Sequence, residues 1–379
     1  MKELLINSLR AVIKFFYRKQ VWLFSSWDAQ LYSDNPKYLF EYVNANKKPV
    51  LAIWITNNKT LYRELKKAGI KTVLVNKYTK FFMFCIADCF FFSDNYTPLK
   101  KKRTKKILYV NLWHGMPIKQ IGDIGNRSDY FIATNPSSQQ ILSRAASLPT
   151  DKVLVLGQPK NDGLFTQKSL RKKLKLPDDA RIITYMPTYR GSFLSSPTGR
   201  DNDTGIFLDE SLKDNPEFNR FTTVLETFNA YFIIKPHIRN TFGSNLHERI
   251  IILDEFTSLV PEIDNYEILG NTDVLVSDFS SLILDFFMLD RPVIFYAPDW
   301  IAYCKEYQLN YDYGFLTRGN IATDITALVD SIRESLSGDD RHKPGAALKA
   351  FFNTYTDAHH AERVFDFFYN FIGNKNRVT

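Results

Sequence analysis

Two histidines and a series of basic and hydroxyl side chains fall directly after short apolar runs of this 379-residue chain. A histidine titrates near neutrality and suits general-base work. His114 follows the run 107–113 and opens His114-Gly115-Met116-Pro117. Gly115 permits close backbone approach to a ligand, and Pro117 stiffens the turn. A histidine in that position can instead cap a loop by hydrogen bonds. Lys160 follows 153–157, while Thr188, Tyr189 and Arg190 follow 181–187. Lys235, His237 and Arg239 cluster at the end of 231–236. If those runs are strands, Lys160, Arg190, Lys235 and Arg239 reach one edge and converge on an anion such as phosphate.

Asp278-Phe279-Ser280-Ser281 follows the run 274–278 and opens a helical stretch. Serine at a helix start caps free backbone donors, and the same donors hold a phosphate. Asp285 falls two turns beyond Asp278. It can accept hydrogen bonds from ribose hydroxyls or a base, or pair with a basic group. Asp201-Asn202-Asp203 has the D-x-D spacing of a metal site but lies in a polar loop rather than after a strand. With no carboxylate cage, no obligatory metal or other cofactor is expected. Neither a G-x-x-x-x-G-K-[ST] nor a G-x-G-x-x-G sequence occurs, which disfavours an ATP P-loop or a dinucleotide site. Cys85, Cys89 and Cys304 show no zinc-ligand spacing and read as buried free thiols.

The elements that would position these residues alternate. Apolar runs at 50–56, 71–76, 107–113, 129–134 and 153–157 read as strands, with helices at 57–68 and 137–147. After a polar, basic linker at 166–180 the pattern restarts with strands at 181–187, 231–237, 250–254, 274–278 and 292–298, and a helix at 280–289. Continuous apolar strands alternating with helices imply parallel sheets covered on both faces. Residues 191–216 read as a long loop or lid. The expectation is an α/β protein of two Rossmann-like domains facing across a cleft, with ligands at the carboxyl ends of the strands. The boundaries fall at 1–25, 26–170, 171–345 and 346–379, the last segment being helices that cross back to the first domain.

Composition excludes other classes. With 45% hydrophobic and 24% charged residues, the chain has enough apolar surface for an ordinary globular fold. No apolar run is long enough to span a membrane. The net charge of +8 is concentrated: residues 1–25 hold +4 and residues 100–106 (KKKRTKK) hold +6. The rest is slightly acidic, which argues against a nucleic-acid track and fits contact with anionic lipid. Over residues 1–24, Arg10, Lys14 and Arg18 share one helical face, opposite Leu5, Leu9, Val12, Phe16 and Leu23. That amphipathic helix lies in a membrane interface or packs on the protein's own body. Charge interrupts its apolar residues, so it does not read as a signal peptide.

Five segments in order resemble one family: WHGMPIKQIG (113–122), GQPKNDGLF (157–165), MPTYRG (186–191), IIKPHIRN (233–240) and VSDFSSLILDFFMLDRPVIFYAPD (276–299). Upstream, YSDNPKYLFEYV (32–43) is similar as well. They resemble the CDP-glycerol glycerophosphotransferases, the teichoic acid primases and polymerases. The resemblance covers about 28–370. It implies a GT-B fold with the acceptor domain first and the nucleotide-binding domain second. It also implies transfer of a polyol phosphate from a CDP donor to a hydroxyl on a lipid-linked saccharide or growing polyol-phosphate chain, with release of CMP. Teichoic-acid-like or capsule polymer synthesis at the cytoplasmic face of the cell membrane, by a peripheral protein, follows from it. Two histidines are essential in that family, and His114 and His237 match them. Lys160, Thr188, Ser280, Ser281 and Asp285 fall near the donor. Met116, Lys160 and Tyr189 depart from the usual Thr, Arg and Trp. The chemistry needs a base for the acceptor hydroxyl, here His114, and positive charge for the phosphates, here His237 with Arg239. CDP-ribitol as donor, or a GT-B sugar transferase or epimerase using a UDP-sugar, are the competing readings.

Overall fold

Short apolar runs bounded by turn residues pair here into two wholly parallel sheets. The computed structural model describes Arg10, Val12 and residues 19–94, 107–125, 128–166, 170–188, 216–235, 247–253 and 263–378. The first sheet contains β1 (Gln20–Phe24), β2 (Val50–Thr56), β3 (Thr72–Leu74), β4 (Cys89–Phe92), β5 (Leu108–Asn111), β6 (Tyr130–Ala133) and β7 (Val153–Val155). Their spatial order is β3-β2-β1-β4-β5-β6-β7. The second contains β8 (Arg181–Tyr185), β9 (Ala230–Ile234), β10 (Ile250–Ile252), β11 (Val274–Ser277), β12 (Val293–Tyr296) and β13 (Ile321–Ala322), in the order β10-β9-β8-β11-β12-β13. Every strand pair runs parallel, so helices must cover both faces.

The first sheet is packed with aromatics. Trp22, Phe24, Trp54 and Phe91 lie on one face, under the helices Asp34–Ala45 and His360–Val378. The latter contributes Val364, Phe365, Phe368 and Ile372, so the end of the chain packs on the first sheet. On the opposite face Val21, Leu23, Phe90 and Phe92 meet Met83 and Ile86 of the helix Lys77–Ile86.

One sequence expectation is corrected. Residues 20–24, assigned above to the amphipathic helix, are β1, between β2 and β4. Trp22, Leu23 and Phe24 are fully buried. A strand covered on both faces shows no alternation, so it reads as a continuation of the preceding helical pattern. Arg10 and Val12 are helical; the rest of residues 1–18 and the 100–106 run lie outside the described residues. Arg10 does not face away from the body. It donates to the carbonyl of Ala87 and pairs with Asp88 at 2.8 Å. The other Asp88 oxygen accepts from the β1 backbone at Val21, 2.8 Å.

Candidate active site

The central strands β1, β4 and β5 end side by side, and each delivers a loop to the same edge of the first sheet. His114 follows β5 and is exposed. Its Nδ1 lies 3.1 Å from the carbonyl oxygen of Ser93, just beyond β4. A carbonyl only accepts, so this bond fixes the proton on Nδ1 and leaves Nε2 free to take one. The ring stacks on Trp113, at 4.3 Å between centroids, and meets Trp27 at a tilt, at 5.6 Å.

The backbone around it is unusual. Trp27, Asp28, Ala29, Asp34 and Trp113 all have φ between 47° and 63°. Non-glycine residues adopt this region at a cost of about 1–3 kcal/mol each, and they cluster at functional sites. Asn111 and Asn35 hold the Trp113 turn. Asn111 Oδ1 accepts from Trp113 N at 2.8 Å, and Asn35 Nδ2 donates to Trp113 O at 2.7 Å. Asp94 Oδ2 accepts from the backbone N–H of Asp28. Burial, against those bonds, pushes the Asp94 carboxyl up to about 6. Burial also raises Asp34, opposed by the nearby charges of Lys160 and His114.

The next residue joins the two halves. A Cβ built on Gly115 would lie 2.6 Å from Ser281 Oγ, closer than atoms tolerate. Any side chain here would have to push the serine hydroxyl aside, so glycine suits the place where the His114 turn meets the Ser280–Ser281 segment that follows β11. Beyond it, Met116 and Ile118 are buried in the core of the second half. Pro117 O accepts from Asn310 Nδ2 at 2.9 Å. Replacing Gly115 by alanine is expected to separate the two segments and slow turnover about 10²-fold, as a 1 Å misplacement does. Single-turnover kinetics check this, and parental rates in the variant would contradict the apposition.

Ser281 begins the short helix Leu282–Phe286 yet makes no side-chain cap hydrogen bond. Ser280 and Ser281 are both half-buried. Asp278 is held in a turn: its Oδ1 accepts from Thr188 N at 2.8 Å, Thr188 Oγ1 at 2.6 Å and Phe279 N at 2.7 Å. Deeper in, Lys160 Nζ donates to Asp285 Oδ2 at 2.8 Å, and the two residues are 2% and 0% exposed. Tyr266 donates to the same oxygen at 2.6 Å, and Asn161 Nδ2 to the other at 3.2 Å. Lys160 Nζ also meets Tyr266 Oη. Burial and Asp285 hold the Tyr266 phenol well above its ordinary range.

The sequence profile of the CDP-Glycerol:Poly(glycerophosphate) glycerophosphotransferase family matches residues 6–370. The chain belongs to that family. It is 27% identical to the teichoic acid glycerol-phosphate transferase of Staphylococcus aureus (strain NCTC 8325 / PS 47), across 88% of this chain and 89% of that one. The teichoic acid ribitol-phosphate primase of Bacillus spizizenii (strain ATCC 23059 / NRRL B-14472 / W23) is 23% identical, across 90% and 88%. Among solved structures, a histidine-to-alanine variant of the wall teichoic acid polymerase TagF has a TM-score of 0.73 at 21% identity, covering 98% of this chain and 94% of that one. A TagF crystal soaked with CDPG has a TM-score of 0.69 at 20% identity, with the same coverage.

In this transferase the expected site residues fall into four groups. His114, Gly115, Ser280 and Ser281 come together at the junction of the two halves. Lys160 and Asp285 are a correction: each is the other's buried partner, so Lys160 does not present its charge to an open anion site. Asp285 adopts the second of the two roles open to it, pairing with a cation. Thr188 and Asp278 likewise bond each other. Lys235 is half-buried, with Nζ 3.5 Å from the carbonyl of Leu253. Tyr189, Arg190, His237, Arg239 and Asp201–Asp203 lie outside the described residues. Among the described residues no group of three or more His, Cys, Asp or Glu is arranged to hold a metal ion.

Trp27, Asn35, Ser93 and Asp94 were not singled out from the sequence. Asp34 and Asn35 lie within the upstream stretch 32–43 that resembles the family, which was the available signal. Trp27 follows a strand that had been read as helix, so its place at a strand end was hidden.

Proposed function

We propose that the protein transfers glycerol phosphate from CDP-glycerol to a hydroxyl of a lipid-linked saccharide or growing polyol-phosphate chain. The acceptor oxygen attacks the phosphorus that carries the glycerol. The bond from that phosphorus to the bridging oxygen breaks, and CMP leaves with that oxygen. Nε2 of His114 takes the acceptor proton, because Nδ1 is committed to Ser93 O. The hydroxyls of Ser280 and Ser281 hold the pyrophosphate, and His237 with Arg239 neutralises charge on the transferring group. One observation carries this reading: the base-bearing turn of the first half abuts the uncapped Ser281 of the second through Gly115. The two halves then correspond to the acceptor and donor domains of a GT-B transferase.

Nucleotide release is the test. CMP should appear from CDP-glycerol in the presence of a lipid-linked acceptor, and not from UDP-sugars. Turnover of CDP-ribitol in its place would move the enzyme to the ribitol branch of the family. Changing Ser280 and Ser281 together to alanine should weaken CDP-glycerol binding by about 1–3 kcal/mol, from lost hydrogen bonds to a charged group. Calorimetry showing full affinity in the folded double variant would remove the pyrophosphate from this segment.

Attachment to the cytoplasmic face of the cell membrane belongs to the same proposal. No described helix is long and apolar enough to cross a membrane. The helix Lys77–Ile86 exposes Tyr78, Phe81 and Phe82 at 80%, 37% and 52%, beside Lys77 and Lys80. Exposed aromatics among lysines suit an anionic lipid interface. Arg10 contacts Ala87 and Asp88 directly after this helix. Replacing the three aromatics by serine should release the protein from anionic vesicles in a sedimentation assay. Unchanged sedimentation would place any membrane contact elsewhere.

A further inference from the structure

The edge of the first sheet around His114 carries polar groups that the His114 turn itself does not use. Ser93 is 1% exposed, and its hydroxyl bonds within the site to the Asp34 carboxyl. Asn111 is 1% exposed, and its Nδ2 is unpaired beneath the Trp113 turn. Asp94 Oδ1 is a buried oxygen in the same condition. Native proteins rarely leave such atoms orphaned, so a bound molecule is expected to satisfy them. Above them Trp27, 45% exposed, presents its ring beside the imidazole.

The chemistry of these groups selects the ligand. A carboxylate oxygen needs a donor, and an amide N–H needs an acceptor. A phosphate supplies only acceptors and would be repelled by Asp94. A vicinal alcohol both donates and accepts, and its C–H face suits an aromatic ring. Ser93 and Asp94 follow β4 and Asn111 ends β5, the neighbouring strands whose loops hold the base.

We propose that Trp27, Asp34, Ser93, Asp94 and Asn111 form the pocket for the uncharged, hydroxyl-bearing end of the acceptor, a terminal polyol or sugar unit. Trp27 carries its carbon face, and the orphaned polar atoms fix its hydroxyls. One hydroxyl is thereby directed at His114. This rests on the transferase reading above and assigns the acceptor side of the same site.

Saturation-transfer NMR of the full chain with glycerol, ribitol and octyl glucoside as probes tests it without requiring turnover. CDP-glycerol affinity is measured in parallel by calorimetry. The parent should transfer saturation to at least one probe. Trp27→Ala, by losing the aromatic face, and Asp94→Asn, by losing hydrogen bonds to a charged group, should each weaken that binding by about tenfold or more. Trp27→Phe, which keeps a ring, should retain it, and that variant separates recognition from folding. Donor affinity should stay at the parental value in all three. Probe binding that survives Trp27→Ala and Asp94→Asn overturns the pocket, as does a parent that binds no probe because these atoms hold only water. Loss of donor affinity in the two variants overturns it as well, by assigning the rim to the donor. If the parent binds a probe at this rim but not CDP-glycerol, the donor assignment fails while the pocket stands.

Discussion

His114→Ala is expected to slow glycerol-phosphate transfer by about 10²–10⁴-fold, the usual loss for a general base, while CDP-glycerol affinity is retained. In the function proposed above, the imidazole serves the acceptor rather than the donor. It stands at the end of β5, is held by Ser93 O through Nδ1, stacks on Trp113 and lies beside Trp27. Its free nitrogen is the one that can receive a proton from an incoming hydroxyl. His237→Ala should behave differently. If His237 neutralises the phosphates with Arg239, its contact exists before the reaction, and removing it lowers both donor affinity and rate. Calorimetry with CDP-glycerol and single-turnover CMP release, measured on both variants, separate the roles. Loss of donor affinity in His114→Ala with retention in His237→Ala would reverse the assignment.

Much of the architecture was legible because parallel strands buried on both faces are written as continuous apolar runs. Residues 50–56 and 181–185 are strands at nearly the positions their composition indicates. The same property hid β1. Val21–Phe24 is as apolar as the helix-like pattern before it, and no Gly or Pro separates the two. At the candidate site, the strand-end rule singled out His114 and the serine pair, because both follow apolar runs directly. It did not single out Trp27. The left-handed turn at Trp27, Asp28 and Ala29 contains no glycine to announce it. Nor do local rules report what a strand-end cation pairs with. Lys160 and Asp285 are 125 residues apart, and only the packing of the two halves reveals that each neutralises the other.

That buried pair yields the second large effect. Asp285→Ala is expected to destabilise the protein by about 3–5 kcal/mol, the cost of removing one partner of a buried ion pair. Lys160 would keep its ammonium in a site only 2% exposed, and Tyr266 would lose the acceptor 2.6 Å away. For a chain whose whole stability is of the order of 5–15 kcal/mol, this is a severe loss. The pair also ties the loop after β7 to the helix that begins at Ser281, so donor affinity should fall with stability. Replacing both members, Lys160→Met with Asp285→Leu, removes the stranded charge and should recover most of the midpoint in urea unfolding. Lys160 bonding donor phosphate and Asp285 bonding ribose would give the opposite pattern. In that case Asp285→Ala would leave the urea midpoint unchanged and reduce CDP-glycerol affinity alone, and the paired replacement would restore nothing. The geometry favours the first pattern, because all the contacts that Asp285 makes with Lys160, Tyr266 and Asn161 lie inside the protein before any donor arrives.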